Sequence, residues 1–78
     1  MDAKTARETV IRPKLAELFG NTMASALTTQ ATLAGMQGTT EQDKLRRMVE
    51  AICSSPKVVG MLGAAQMERQ KREWLRLV

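Results

Sequence analysis

The sequence predicts an all-α fold: a small four-helix bundle, or a kinked three-to-four-helix one, with short loops, in a single domain spanning residues 1–78. Three observations carry this. Apolar residues recur at spacings of three and four along most of the chain. β-Branched residues are scattered, and hairpin-type turn dipeptides are missing. Glycine, proline and capping residues divide the chain into segments of helical length, about 5–19, 22–36, 41–53 and 56–77.

The first segment places Ile11, Leu15, Leu18 and Phe19 on one side, with Ala3 and Val10 flanking. Thr5 followed by Glu8 fits a capping box, which would start the helix at Ala6. Pro13 interrupts it, either as a kink or as the start of a second piece after Ile11. Gly20-Asn21 ends it. In the second segment Met23, Ala26, Leu27, Gln30 and Ala34 share a face, edged by Ala31 and Leu33. Its threonines lower helix propensity, so its order depends on packing.

The third segment has the plainest signature. Thr40 caps it, Asp43 completes a capping box, and Glu41 and Asp43 occupy the first turn, where the helix dipole favours anions. Leu45, Met48, Val49 and Ile52 form one apolar stripe. A short link, Cys53–Ser55, then leads to Pro56, a residue suited to the first helical position.

The fourth segment carries two stripes when stepped at 100 degrees per residue. Val58, Met61, Leu62 and Ala65 form an apolar one, and Arg69, Arg72 and Arg76 continue its sector. Opposite them Gly60, Gly63, Met67, Gln70, Trp74 and Leu77 fall at spacings of three and four, the pattern of a helix–helix seam. The expectation is that the chain's own body covers the first half, while Met67, Gln70, Trp74 and Leu77 face a partner. Gly60 and Gly63 then serve close packing, against the second helix or a second copy.

Composition narrows the function. Ten of the 78 residues are alanine, and only Phe19 and Trp74 are aromatic, so the core is thin and self-association is expected. Histidine and tyrosine are missing, which removes the commonest general base and any imidazole metal ligand. No cofactor and no enzymatic role is expected. The single cysteine, Cys53, excludes an intramolecular disulfide framework, and the N-terminal residues lack the layout of a signal peptide. A reducing cytoplasm is the expected setting. Residues 19–40 carry no charge, but six threonines with Asn21, Ser25, Gln30 and Gln37 make the stretch too polar to span a membrane.

Cys53 reads either as a small buried hydrophobe or as a thiol activated by the following helix. The five internal methionines suit an irregular core, with Met67 set apart beside Trp74, Leu75, Leu77 and Val78 as an apolar end to a charged segment. The net charge of +4 is concentrated C-terminally, with five basic residues against two acidic over 56–78. Glu68 is placed to pair with Arg72, and Glu73 with Arg69 and Arg76.

The leading expectation is a protein–protein interaction module, an adaptor, inhibitor or accessory subunit that self-associates as a homodimer. The alternative is a nucleic-acid-binding protein using Arg69, Lys71, Arg72 and Arg76, joined by Arg46 and Arg47, with Trp74 stacking.

Overall fold

In a computed structural model, which describes residues 1–77, the chain is all helical. The first helix, α1, comprises Ala3–Ala6, a π-helical turn Arg7–Ile11, and Arg12–Phe19, with right-handed dihedrals at both joints. The others are α2 (Asn21–Gly35), α3 (Glu41–Cys53), α4 (Pro56–Leu62) and α5 (Ala64–Leu75). A small helical bundle is the fold, with five helices in place of four.

Two local findings correct the expectations for α1. Asp2, not Thr5, caps it: the Thr5 N–H donates to Asp2 Oδ1 at 2.7 Å. Asp2 is a strong cap acceptor one turn upstream, so Thr5 falls inside the helix and Glu8 is free to engage Arg7 and Arg12. Pro13 neither ends nor restarts the helix. Its ring would meet the Thr9 carbonyl in a regular α-helix, and the wider π turn just upstream, where the Arg12 N–H reaches Arg7 O, makes room for it.

The helix pair α2–α3 has the most extensive contact, α1 packs on α2, and α5 lies against α3. The core joins Ile11 and Leu15 of α1, Leu27 and Ala31 of α2, Leu45, Met48, Val49 and Ile52 of α3, Val58 of α4, and Met67 and Trp74 of α5. The stripe expected for α3 is buried in full. The face expected for α2 is turned: Ala24, Leu27, Thr28, Ala31 and Gly35 go inside, while Ala26 and Gln30 are exposed. Small residues decide this, because they let α3 approach closely. A Cβ on Gly35 would sit 2.7 Å from Met48 Cγ. Thr28 tolerates burial because its hydroxyl donates to Ala24 O at 2.6 Å.

Gly38 makes an equally close approach, but to backbone, since a Cβ there would lie 2.7 Å from Lys44 N and Cα. Backbone cannot yield as a methionine can, so Gly38→Ala should destabilise by about 1–3 kcal/mol. Gly60 is the opposite case. It is helical and exposed, with nothing within 4 Å of where a Cβ would stand, so Gly60→Ala should stabilise the isolated chain by roughly 1 kcal/mol. Denaturant titration of both variants checks the contrast in sign.

Asp43 organises the start of α3. Its N–H donates to Thr40 Oγ1 at 3.0 Å, and its carboxylate accepts from Thr39 N–H, Arg46 and Arg47. Arg46 first, then Arg47, hold its carboxyl at about 2, below the ordinary 3.8. A folded value below the unfolded one gives stability that is complete above about pH 4 and is lost as pH falls toward 2. Thermal melts across that window should show the acid loss, and Asp43→Asn should flatten it.

Candidate interaction surfaces of the C-terminal helices

The segment expected to run unbroken over 56–77 is two helices. Gly63 adopts φ +81°, a region that other residues enter only with strain, and the chain turns there. Gly63 is the turn between α4 and α5. No described part of the chain approaches Gly60 or Gly63, so neither glycine permits intramolecular close packing.

This break leaves Val58 and Leu62 inside as expected but turns out Met61 and Ala65, and it brings in the stripe expected outside. Met67 and Trp74 are only 5% and 3% exposed, folded onto α3 in the protomer's own core. The exposed apolar face expected of them is therefore not there. Gln70 and Leu77 are half-buried, and Val78 lies outside the described residues. On α4 only Val58 is buried and Leu62 half-buried, whereas Val59 is 40% exposed and Met61 61%. Two helices joined by a turn can bury opposite stripes. A single straight helix on so small a body cannot.

Three concave or apolar surfaces result. A groove of about 460 Å³ between α1 and α5 gathers Val10, Pro13, Gln70, Trp74 and Leu77, so three of the four residues expected to bind a partner meet at one place. A wider cleft of about 550 Å³ lies between α2 and the start of α4, lined by Phe19, Met23, Ala26, Pro56 and Lys57. Here the turned face of α2 is presented outward. The third surface is the α4–α5 corner. From Val58 through Met67 ten consecutive residues carry no charge, and Val59, Gly60, Met61, Gly63, Ala64, Ala65 and Gln66 of these are exposed.

Cations are distributed unevenly. Of the seven basic residues before Pro56, Arg7, Arg12, Lys14, Lys44, Arg46 and Arg47 each lie within 4.0 Å of a carboxylate. Among the described residues, Lys57, Arg69, Lys71, Arg72 and Arg76 make no such pair. The pairs expected for Glu68 and Glu73 with these arginines are not formed, and Glu73 instead accepts from Gln70 Nε2 at 3.4 Å. Arg46 and Arg47, expected to assist in binding phosphates, are committed to Asp43 and Glu50.

Cys53 is half-buried in a shallow hollow with Glu50, Met67, Glu68 and Lys71. Burial pushes its thiol up, with Lys71 opposing and Glu68 adding to the rise. Alkylation at neutral pH should accordingly be slower than for an unfolded control, and a thiol-reagent time course measures it. Of the two readings of Cys53, this burial fits the small hydrophobe rather than the activated thiol, and its charged neighbours Glu68 and Lys71 are brought to it by α5.

Among the described residues no helix is long and apolar enough to cross a membrane. Comparison with protein-family models, with curated proteins and with solved structures found no match. Function is therefore argued from the surfaces themselves.

Proposed function

We propose that the chain is a small helical protein–protein interaction module, an adaptor, inhibitor or accessory subunit, that docks through its C-terminal helices. The observation that carries this is the uncharged, exposed α4–α5 corner beside the α2/α4 cleft. At this corner Val59 and Met61 are exposed together, and a glycine, Gly60, stands between them where nothing within the described chain requires one. Burying such side chains fully in a complex contributes about 1.5–3 kcal/mol each. Gly60, costly in a free helix, is compatible with close approach of a partner backbone. The binding surface lies one helix earlier than the Met67–Trp74 stripe. The same corner serves self-association, and a reducing cytoplasm is the proposed setting.

Met61→Asp and Val59→Asp test the reading, since both side chains are exposed and neither variant should disturb the fold. Native extract passed over the wild-type chain and the two variants should yield a bound protein that both variants lose. Retention of the same bound set by both would overturn the reading. Sedimentation of the wild type and variants over a concentration series shows whether the bound protein is a second copy.

A nucleic-acid reading has one observation in its favour: Arg69, Lys71, Arg72 and Arg76 make no ion pair among the described residues. The burial of Trp74 removes the stacking platform that would accompany them. A mobility shift that weakens steeply with salt would support it.

A further inference from the structure

We infer that the partner segment seated on the α4–α5 corner is an acidic peptide segment with a few apolar side chains, held between the corner and an arginine stripe on α5. This rests on the docking reading above and adds the chemistry of the occupant. Charge is neutralised within the first three helices and left open in the last two. Six of the seven cations before Pro56 have a carboxylate within 4.0 Å, and none of the five after it has one among the described residues. Glu68 and Glu73 are spaced suitably to neutralise Arg69, Arg72 and Arg76 along α5, yet they do not.

The open cations are ordered. Arg69, Arg72 and Arg76 fall on one exposed face of α5, opposite the buried Met67 and Trp74, and Ala65 begins the same stripe at the corner. At 1.5 Å rise per residue the three arginines span about 10 Å. That length matches two turns of a partner helix or a short extended segment carrying two or three carboxylates. Lys57, at the rim of the α2/α4 cleft, adds a further cation on α4. The occupant that fits has apolar groups for Val59, Met61 and the cleft, and carboxylates for the arginines.

A uniform polyanion fits less well. Glu68 and Glu73 flank the arginine stripe at roughly 60–80 degrees on either side and would repel a continuous row of phosphates. Discrete carboxylates on a peptide can face the arginines while its donors face the two glutamates. An anionic membrane would meet the same two carboxylates, and no exposed aromatic anchor accompanies Val59 and Met61.

The test uses the whole chain, immobilised, with nuclease-treated native extract, followed by affinity measurement on the purified bound protein. Four forms are compared: wild type, Met61→Asp, the triple variant Arg69→Gln/Arg72→Gln/Arg76→Gln, and Arg12→Gln as an ion-paired control. All substituted side chains are exposed, and circular dichroism verifies the fold. The expected result is a protein that binds through an acidic segment. Its affinity falls about tenfold in the triple variant and also falls in Met61→Asp, is unchanged in Arg12→Gln, and weakens from 0.05 to 0.5 M salt in the wild type more than in the triple variant. A bound protein that needs Met61 but ignores the triple variant and salt overturns the acidic occupant and leaves the docking reading standing. Binding indifferent to Met61, or no protein bound at all, overturns both. A triple-variant effect seen only with an oligonucleotide or with phosphatidylglycerol vesicles, each run as a separate arm, replaces the acidic peptide by that polyanion.

Discussion

Trp74→Ala should cost about 3–5 kcal/mol, the range for deleting a large aromatic from a packed interior. The indole is 3% exposed and belongs to the same cluster as Ile52, Val58 and Met67. A 78-residue domain has roughly 4–12 kcal/mol of stability at 0.05–0.15 kcal/mol per residue, so this one change consumes a large share of it. Far-UV circular dichroism against urea is the suitable probe, because the substitution removes the only tryptophan. A loss under 1 kcal/mol would mean that α5 does not fold onto α3 as described. The same burial makes Trp74→Ala unsuitable as a binding probe, since lost binding would only report lost structure.

Ile52→Ala should follow with about 2–5 kcal/mol. Ile52 has no exposed surface and sits near the end of α3, the helix that touches α1, α2, α4 and α5. Neighbours on several helices cannot all collapse into the space it leaves, which places the cost toward the upper part of the range. Because α4 and α5 reach the body mainly through this end of α3, amide hydrogen exchange should rise over residues 56–75 by more than over residues 21–35. Equal rises along the chain would instead indicate that the C-terminal helices unfold together with the rest as one unit. Met61→Asp, at an exposed position, should leave both measurements near wild type.

Much of the fold could be read from local signals. Thr40 as cap and the Leu45–Met48–Val49–Ile52 stripe define α3 by a hydrogen bond and a periodicity within a few residues of one another, and the structure has both where they were expected, with the Asp43 carboxylate on the N–H of Thr39 rather than that of Thr40 and the helix running through Cys53. The candidate site was less legible. Gly60 and Gly63 look alike in the sequence. Gly60 sits inside a helix with open space around it, while Gly63 breaks the chain at φ +81°. Nothing local separates a glycine tolerated in a helix from one that ends it. The ion pairs were similarly ambiguous, because spacing permits Glu68–Arg72 and Asp43–Arg47 equally, and the structure forms only the second among the described residues. Asp43 is also held by the Thr39 N–H at the start of its helix, which fixes it for its arginines.

The sequence by itself determined that this protein is helical, where most of its helices start and stop, and that its positive charge gathers toward the C-terminal end. Capping, proline geometry and composition depend on residues close together in the chain. Only the tertiary structure decided which stripe of α2 and of the C-terminal helices is inside. A helix with apolar residues on two sides buries the one whose removal from water, summed over its partners, gains more. For α2 that sum favours the alanine and glycine side, where α3 can come closest. For the C-terminal segment it favours turning the chain at Gly63, so that Val58 and the Met67–Trp74 pair are all covered while Val59 and Met61 are left outside.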